Sequence, residues 1–507
     1  MAKKHLFLVG LGMGDENFLT AQAKNALREA QIIFGGERIL EIAGKILLEE
    51  GNPSENAEAP SKKIPFEPIY RADEIFSYLR GHQDLSNAAV VFSGDTGFFS
   101  GAAAFCERFR VKPGMTEVKS GITETLNSGM TEAGADWEIS LLPGIASPVY
   151  FASKLHKSWQ KWKMLSLHGA ICNTIEQIRK NPACFFILSG IEDVRMVGKK
   201  IEKALKNGVL SSVKCYLGSN LSYNVEKIIQ IQPKEMSDFQ ESVGNAEIKA
   251  KFDGNSPKIN ETTGRSGVKS PQKSLFVLLV ENENALNESE CPNLKDEDFI
   301  RAEKIPMTKK EVRHLSIAEL GLSKSSVVYD IGSGTGSITV EAARIAVEGQ
   351  VIAVDSNSDA LALTRKNVEK FCLENVTFVQ GSAPDCLKNA ELPPPSHVFI
   401  GGRKGNLAEI IQFALKKNPS VRVVANFVSL ENLAEMQNCL KSLEEGSFFE
   451  AGFGKIRIEN LEIRQISVSR AEKAGNFHLM KAQNPVWIVS FSGKIENKEN
   501  QGHENEA

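Results

Sequence analysis

Short hydrophobic runs alternate with amphipathic stretches along most of the chain. Near the N-terminus, HLFLVGLG (5–12) and AAVVFSG (88–94) have the pattern of buried strands, and each precedes a stretch with helical periodicity, NFLTAQAKNALREA (17–30) and FSGAAAFCERF (99–109). Four further strand-like runs end at or beside a glycine: ISLLPG (139–144), MLSLHG (164–169), FFILSG (185–190) and KCYLGS (214–219). This alternation predicts an α/β fold with largely parallel sheets, in which ligands bind where the strands end.

The same pattern returns in the C-terminal part of the chain. Five strand-like runs are separated there by helical stretches: VVYDIGSG (327–334), QVIAVDS (350–356), VTFVQGS (376–382), SHVFIGG (396–402) and VRVVANF (421–427). Several of them again stop at a glycine. A second α/β domain is therefore expected after the first.

Four polar segments interrupt the alternation. Residues 111–136 repeat a Gly-Met/Ile-Thr-Glu unit three times, which indicates a surface insertion. Residues 234–273 contain few large apolar side chains and are expected to be a disordered excursion, from which SLFVLLV (274–280) returns to the sheet as a strand. Residues 283–297 are expected to link the two domains, and residues 493–507 to form a disordered tail.

Composition narrows the class of protein. With 507 residues, 42% hydrophobic, the chain is long enough for two or three domains with real cores. A net charge of −3 argues against a protein that binds nucleic acid by charge alone. The eight cysteines form no C-x-x-C pair, so we expect reduced thiols and neither a zinc site nor a disulfide scaffold. No apolar run approaches the ~18 residues of a membrane span, and the first run reads as a strand and not as a signal peptide, so a cytoplasmic protein is expected.

The glycine-rich segment after the strand at 327–331 carries the clearest chemical signal. Gly332, Gly334 and Gly336 precede a helical stretch, and Asp355 ends the following strand, where a carboxylate can accept both hydroxyls of a ribose. The spacing is G-x-G-x-G and not the G-x-x-G of dinucleotide sites, and the acid Asp330 precedes it. That combination suits S-adenosylmethionine, which lacks a pyrophosphate but carries a sulfonium and an amino group. A dinucleotide site, or a tight turn that binds nothing, is the alternative.

Four segments of the C-terminal part carry a more specific resemblance. They are IPMTKKEVRHLSIAEL (305–320), YDIGSGTGSITVEAA (329–343), VFIGGRKGNLAEII (398–411) and SVSRAEKAGNFHLMKAQNPVWIV (467–489). Together they resemble the decarboxylating cobalt-precorrin-6B C15-methyltransferases of cobalamin biosynthesis. The resemblance extends over residues 296–490.

The N-terminal part resembles the tetrapyrrole methylase family, and within it the precorrin-7 C5-methyltransferases. The matching segments are VGLGMGDENFLT (9–20), FGGERIL (34–40), FSGDTGFFSG (92–101), LLPGIASPVYFASKL (141–155) and SLHG (166–169). Met13 and Thr96 stand where that family usually has proline. Proline would stiffen these loops without supplying a reacting atom.

The two resemblances together imply an architecture and an activity. Residues 1–282 are expected to form a two-lobed tetrapyrrole methylase domain with insertions at 111–136 and 234–273, and residues 298–492 a Rossmann-like class I S-adenosylmethionine methyltransferase domain. A fusion in this order resembles the precorrin-6Y C5,15-methyltransferases (decarboxylating). This implies methylation of a precorrin or cobalt-precorrin at C5 and C15, loss of carbon dioxide from the acetate on ring C (C12), two S-adenosylmethionine sites per chain, no resident metal, and a homo-oligomer.

The resemblance also implies site residues. In the C-terminal domain, donor binding is carried over onto Thr308, Gly332, Ser333, Gly334, Thr335, Gly336, Asp355 and Ala383. In the N-terminal domain, Gly10, Gly12 and Gly14 are expected near the acceptor, and the donor near Gly94, Asp95, Gly144, Ile145, Ala146 and Ser147. The substrate carries many carboxylates, so cationic and polar candidates for contacting it are Arg403, Lys404, Asn426, Arg470, His478 and His168.

Other interpretations of these residues stay open from the sequence. Thr308 suits a helix N-cap as well as a donor contact. Arg403 and Lys404 suit a solvated surface, Asn426 a backbone-bonding amide, and His168 a strand-end histidine. A nucleic-acid methyltransferase is disfavoured because Ile-Gly-Gly-Arg-Lys stands where amino-methylases carry an Asn/Asp-Pro-Pro-aromatic motif. A further alternative is an N-terminal domain that serves only as a scaffold for an active C-terminal domain.

Overall fold

The apolar runs of the N-terminal part form the strands of two sheets. The structure is a computed structural model and describes residues 4–49, 64–108, 137–167, 173–239, 275–286, 294–388, 390–401, 406–445 and 456–495. The strands up to residue 281 are β1 (Lys4–Gly10), β2 (Ile32–Phe34), β3 (Phe66–Glu67), β4 (Asn87–Phe92), β5 (Trp137–Leu142), β6 (Lys163–Ser166), β7 (Ala183–Leu188), β8 (Lys214–Ser219), β9 (Lys227–Ile231) and β10 (Phe276–Glu281). They pair in the orders β3-β2-β4-β1-β5 and β6-β7-β10-β8-β9.

Helices connect these strands. They are α1 (Ala21–Glu29), α2 (Glu37–Glu49), α3 (Ala72–Gly81), α4 (Ala102–Arg108), α5 (Ser147–Leu155), α6 (Thr174–Lys180), α7 (Ile191–Lys206) and α8 (Pro233–Ser237). The first sheet is parallel where β1 pairs with β4 and β5, so the carboxyl ends of these three strands meet at one edge. In the second sheet β8 and β9 pair antiparallel.

The C-terminal part forms a seven-stranded sheet in the order β13-β12-β11-β14-β15-β19-β16. Its strands are β11 (Val327–Ile331), β12 (Gln350–Asp355), β13 (Val376–Gln380), β14 (His397–Ile400), β15 (Arg422–Phe427), β16 (Ile456–Ile466) and β19 (Val486–Ile495), and β17 (Ser469–Ala474) with β18 (Phe477–Ala482) forms a separate hairpin. The helices are α9 (Lys310–Leu320), α10 (Ser337–Ile345), α11 (Ser358–Lys370), α12 (Asp385–Lys388), α13 (Leu407–Lys417) and α14 (Leu430–Glu444).

The central strands of this sheet are apolar on both faces because helices cover both. Ile352 and Val354 of β12 belong to the core cluster that contains α13 and α14, whereas Val351 of the same strand packs on the other side with α10. Strands β11 to β15 are parallel to one another, and β19 runs antiparallel to them. The edge strand β16 pairs antiparallel with β19 and so has the same direction as β11 to β15. This is the largely parallel α/β arrangement that the alternation predicted, and it is Rossmann-like, as the family resemblance implied.

Contacts along the chain group the residues into two compact units. Unit 1 comprises 1–168, 183–196 and 214–280, and unit 2 comprises 169–182, 197–213 and 281–507. Among the helices that the structure describes, none combines the length and the apolar character that crossing a membrane requires.

All the predicted strands are present, but three polar segments begin or end elsewhere than predicted. The disordered excursion was expected from residue 234, yet α8 covers Pro233–Ser237 because the apolar Met236 and Phe239 are buried against unit 1. The tail was expected from residue 493, yet β19 continues to Ile495 in pairing with β16. Within the expected linker, Asp296 is buried and begins a short 3-10 turn. Residues 109–136 and 240–274 lie outside the described residues.

Candidate active site

The glycine loop of unit 2 joins the end of β11 to the start of α10. Gly332, Gly334 and Gly336 all have positive φ, of 78°, 56° and 78°, which side-chain-bearing residues rarely adopt. Packing excludes a side chain as well, since a Cβ on Gly334 would lie 2.7 Å from the Pro306 carbonyl oxygen and one on Gly336 2.7 Å from Thr364 Cγ2. The conformation of the loop therefore requires glycine at all three positions, and its neighbours require glycine at Gly334 and Gly336.

Hydrogen bonds from β12 and α11 fix this loop. The amides of Gly332 and Ser333 donate to the Val354 carbonyl at 2.8 and 3.1 Å, and Thr364 Oγ1 donates to the Gly334 carbonyl at 3.0 Å. The Ser333 hydroxyl lies 3.1 Å from Thr364 Oγ1. The loop is thus held in shape by the protein itself, as a preorganised ligand site requires.

Asp355 ends β12 beside the loop. One of its carboxylate oxygens accepts the Gly334 amide and the other accepts the Asn357 amide, both at 2.9 Å. The side chain is half-buried, and each oxygen has a second lone pair. Asp355 therefore stands where the sequence predicts a ribose-binding carboxylate, and it also fastens the glycine loop to the end of β12.

Asp330, the last acid of β11 before the loop, is fully buried. Thr339 donates its hydroxyl to Asp330 Oδ2, while Oδ1 has no hydrogen-bonding partner among the described residues. Burial, reinforced by the charge of Asp355, raises the pKa of Asp330 to about 7. An unpaired buried carboxylate is stabilised by a cation, so the site fits a ligand that carries positive charge.

The remaining predicted donor residues are Thr308 before α9, Thr335 within the loop and Ala383 after β13. The Thr308 carbonyl accepts Arg313 Nη1 at 2.9 Å and Ser337 Oγ at 3.4 Å. The N-cap of α9 is Lys309 without a side-chain bond, so Thr308 is not the cap that its sequence allows. Ala383 follows β13 and is buried, and its carbonyl accepts a hydrogen bond from the side-chain amide of Asn406. The hydroxyl of Thr335 is buried without a described partner.

The predicted substrate contacts are distributed differently. Asn426 exchanges hydrogen bonds with the Ser316 hydroxyl of α9 at 2.9 and 3.2 Å, and His478 is exposed on β18. Arg470 donates to Glu311 at 2.6 Å and to Asp296 at 3.4 Å, and the bond to Glu311 raises its pKa. Arg470 is therefore held by two carboxylates. Arg403, Lys404 and His168 lie outside the described residues.

Sequence reasoning missed a buried arginine next to this site. Arg313 of α9 is fully buried and donates to the Leu294 carbonyl at 2.5 Å and to Asp296 Oδ1 at 3.0 Å, besides the Thr308 carbonyl. Its Nε lies 3.5 Å from Glu341, and its guanidinium stacks 4.7 Å from the centre of the Phe299 ring. The quoted segment KKEVRHLSIAEL contains Arg313, but only the tertiary fold brings its partners together.

In unit 1, glycines from three strand ends converge. Gly10 ends β1, Gly94 follows β4 and Gly144 follows β5. Gly12 and Gly94 exchange backbone hydrogen bonds at 3.0 and 2.9 Å. A Cβ on Gly144 would collide with the Gly94 carbonyl and lie 2.6 Å from the Gly12 amide and 2.7 Å from the Gly10 carbonyl. Backbones touch at this edge because none of these residues has a side chain.

Asp95 fixes this edge. Its Oδ1 accepts the Gly97 amide at 2.8 Å and its Oδ2 accepts the Gly144 amide at 3.0 Å. Residues Gly144 to Ala146 then lead into α5, which begins at Ser147. The predicted N-terminal donor residues are therefore brought together at one sheet edge. Gly14, with a φ of 84°, follows the same loop.

Comparisons with known proteins match the two parts of the chain separately. The family model described as precorrin methyltransferase domain matches residues 301–492, and that of tetrapyrrole (corrin/porphyrin) methylases matches residues 5–236. A probable cobalt-precorrin-6B C(15)-methyltransferase (decarboxylating) of Pyrobaculum calidifontis is 39% identical over 201 residues, which cover 39% of this chain and 95% of that protein. A protein of the same description from Sulfurisphaera tokodaii is 36% identical over 200 residues, 39% of this chain and 96% of that protein.

A solved structure is also similar. A precorrin-6Y C5,15-methyltransferase structure from Geobacter metallireducens is 30% identical, covers 39% of this chain and 96% of that chain, and has a TM-score of 0.34. The N-terminal part matches the tetrapyrrole methylases, and the C-terminal match covers almost the whole length of a decarboxylating C15-methyltransferase. The chain therefore belongs to the precorrin methyltransferase family.

Proposed function

We propose that the chain methylates a precorrin or cobalt-precorrin intermediate of cobalamin biosynthesis at C5 and C15, with S-adenosylmethionine as donor, and decarboxylates the acetate side chain on ring C (C12). The names of the C-terminal relatives support C15 methylation with decarboxylation. The match of residues 5–236 to tetrapyrrole methylases supports a second methylation, which we assign to C5. The proposed domains are residues 1–282 and 298–492.

The observation that carries this proposal is Asp330 beside the glycine loop. Its unpartnered Oδ1 is buried at the base of a loop whose three glycines leave room for close approach of a ligand to the backbone. S-adenosylmethionine supplies a methyl group on a positively charged sulfur, together with a ribose and an amino group. Asp330 would attract positive charge, Asp355 would accept ribose hydroxyls, and the backbone of Gly332 to Gly336 would line the donor.

Methyl transfer from a sulfonium makes few demands on the protein beyond binding and orientation. The donor is already activated, so the chain must hold donor and acceptor carbon in line and exclude water. The rigid loop of unit 2 supports the first requirement. We propose a second donor site at the edge formed by Gly10, Gly94 and Gly144, which gives two sites per chain.

We also propose that the protein is a homo-oligomer and cytoplasmic. The hairpin β17–β18 supports self-association, because Phe477, Leu479 and Met480 are 74%, 60% and 67% exposed. Light scattering should report a mass above that of one 55.6 kDa chain, and the double variant Phe477→Ser/Leu479→Ser should lower it. The cytoplasmic location rests on the scattered, unpaired spacing of the eight cysteines.

The proposal is tested with the full-length protein, S-adenosylmethionine and the acceptor in cobalt-bearing and metal-free forms. Mass spectrometry should show the gain of two methyl groups and the loss of one carbon dioxide, and the two forms side by side decide which acceptor is used. A product that has gained one methyl group and lost one carbon dioxide would support the scaffold alternative for the N-terminal domain. No methylation of either acceptor, in a protein that binds S-adenosylhomocysteine, would contradict the proposed function.

A further inference from the structure

A segment that precedes α9 lies directly against the glycine loop. This segment, residues 294–309, is called the strap. The Pro306 carbonyl accepts the Thr335 amide at 3.3 Å, and Pro306 is also the neighbour that excludes a side chain at Gly334. The strap therefore touches the part of the loop at which the donor is proposed to bind.

A buried asparagine ties the first half of the strap to the same loop residue. Asn367 of α11 is fully buried, and its amide nitrogen donates to the carbonyls of Ile300 and Thr335 at 2.9 and 2.8 Å. Its carbonyl oxygen accepts the Ile300 amide at 2.7 Å. Every polar atom of this side chain is thus used, and the backbone beside Arg301 is fixed relative to the loop.

The second half of the strap is fixed by Arg313. Its guanidinium donates to the Thr308 carbonyl, and its own backbone amide donates to the Lys309 carbonyl at 2.7 Å. The backbone of the strap is therefore anchored at Ile300 and at Thr308 by fully buried side chains. Such anchoring gives the side chains that project from it a defined position.

Between these anchors the strap lines a cavity of about 500 Å³ that is open to solvent and is formed by residues of 301–309. Two cations, Arg301 and Lys309, and one acid, Glu303, line it. None of the three side chains forms a hydrogen bond or an ion pair with any residue that the structure describes, in contrast to Arg470, which two carboxylates hold. The cavity thus offers a net positive charge next to the donor loop.

From this placement we propose that Arg301 and Lys309 bind a carboxylate of the acceptor, so that the strap sets which carbon of a polycarboxylated ring faces the donor. Arg301 offers a bidentate fork for a carboxylate and Lys309 a point charge. Glu303 disfavours a second anionic group in the same cavity. The inference rests on the proposed function, since it takes the acceptor to be an acidic tetrapyrrole.

Equilibrium binding of a fluorescent porphyrin octacarboxylate to the full-length protein tests this without turnover, provided that the Kd of unit 2 is fitted separately from that of the acceptor site proposed in unit 1. Arg301→Gln and Lys309→Gln should each raise the Kd about tenfold, and the double variant by roughly thirtyfold or more, as for lost charge-assisted hydrogen bonds. Glu303→Gln should lower the Kd about twofold to threefold, since it removes a like charge. Lys416→Gln, an exposed lysine on α13, is the control and should leave binding unchanged.

Turnover and donor binding complete the experiment. The double variant should raise KM for the acceptor in the decarboxylating half-reaction, while its affinity for S-adenosylhomocysteine stays within about twofold of the unaltered protein. Unchanged porphyrin binding in the double variant would overturn the inference, and so would an equal loss of affinity for S-adenosylhomocysteine, which would indicate a distorted loop. If the unaltered protein binds the porphyrin but methylates no acceptor, the proposed function fails and not the carboxylate site.

Discussion

In unit 2 the glycines of the candidate site lie in one continuous loop, whereas in unit 1 they come from three separate strand ends. The loop glycines are required largely by their positive φ, and two acids, Asp330 and Asp355, flank them. Gly10 and Gly144 of unit 1 have no such φ, and they are required because backbone atoms occupy the space of a side chain. The acid of that edge, Asp95, is bonded to two backbone amides.

This difference separates two ways of making a site for the same donor. In unit 2 charge is available for the ligand, because one oxygen of Asp330 has no described partner. In unit 1 the close approach of backbones shapes the edge, and both oxygens of Asp95, like those of Asp355, accept backbone amides. Substitutions should therefore act mainly through ligand binding at the loop of unit 2 and mainly through folding at the edge of unit 1. The exception in unit 2 is the buried network that Arg313 forms with Asp296 and with two carbonyls of the strap.

That exception gives the largest expected effect. Arg313→Met should lower the free energy of unfolding of unit 2 by about 3–5 kcal/mol, because it removes the shortest hydrogen bond of the buried Asp296 and of the Leu294 and Thr308 carbonyls. Calorimetry and denaturant titration measure it. The double variant Arg313→Met/Asp296→Asn should recover part of the loss, since no charge then stays unpaired. A single variant as stable as the unaltered protein would show that the network does not hold the strap.

The edge of unit 1 is tested by Gly144→Ala. The added Cβ would meet backbone atoms of Gly10, Gly12 and Gly94, none of which can move aside as a side chain can, so we expect a loss of about 3 kcal/mol in the stability of unit 1. C5 methylation should be lost with it. Gly94→Ala is the matched control: its φ of 70° is strained but nothing lies within 4 Å of the Cβ position, so about 1 kcal/mol is expected. Equal losses would contradict the packing argument.

The loop of unit 2 is tested by Asp355→Ala. Donor binding to this site should weaken by about 1.5–3 kcal/mol, as for a lost charge-assisted hydrogen bond. C15 methylation and decarboxylation should be lost while C5 methylation remains. Isothermal titration with S-adenosylhomocysteine and product mass measure the two effects. Asp359→Ala, an exposed acid in the first turn of α11, should change neither. Equal loss of both methylations would mean that the two sites do not act separately.

From the raised pKa of Asp330 we expect donor binding at the same site to depend on pH. Because its pKa is raised to about 7, the carboxyl is protonated below that pH, and a cationic donor must then displace the proton. KM for S-adenosylmethionine in the decarboxylating half-reaction should therefore rise about fivefold to tenfold from pH 7.5 to 6. C5 methylation by the same protein is the reference. Asp330→Asn should raise KM and flatten this profile, and an unchanged slope in that variant would exclude Asp330 as its source.

The smallest effect is expected from the insertion in unit 1. Replacing residues 240–273 with a short Gly/Ser linker should change the stability by less than about 0.5 kcal/mol, because closure entropy varies slowly with loop length. The rings of Phe239 and Phe276 lie 6.1 Å apart, so the ends to be joined are close. Deleting 234–273 instead removes the buried Met236 and should cost about 2 kcal/mol or more. Thermal unfolding distinguishes the two deletions, and equal melting temperatures would contradict the packing of α8.

Much of the fold could be predicted because its signals are local. Apolar runs that stop at glycine predict parallel strands, and every strand predicted in this way is present. The edge strand β16 and the hairpin β17–β18 were not predicted, because their exposed sides interrupt the apolar pattern. The start of α8 was missed for a related reason, since two buried side chains, Met236 and Phe239, are too few to stand out in a polar stretch.

The candidate site likewise has one part that local sequence predicts and another that depends on the tertiary fold. The glycine loop and Asp355 follow from sequence spacing, because one loop and the next strand end build them. The positions of Arg313, Asn367 and the strap do not, since their partners other than Thr308 are 17 to 67 residues away in the chain. Arg470 illustrates the converse: its residue type suggests a substrate contact, but its pairing with Glu311 and Asp296 depends on residues more than 150 positions earlier.

The position of β10 affects how unit 1 is made on the ribosome. This strand lies between β7 and β8 in its sheet, yet it is translated after β8, β9, α8 and the insertion that follows. Until residue 281 has left the exit tunnel, β7 and β8 each present an unpaired edge, and such edges invite pairing with other chains. The nascent chain thus carries an incomplete sheet throughout the synthesis of the long insertion. We expect a chaperone to bind the nascent chain during that interval and to leave once β10 has paired with β7 and β8. Ribosome profiling can detect this binding.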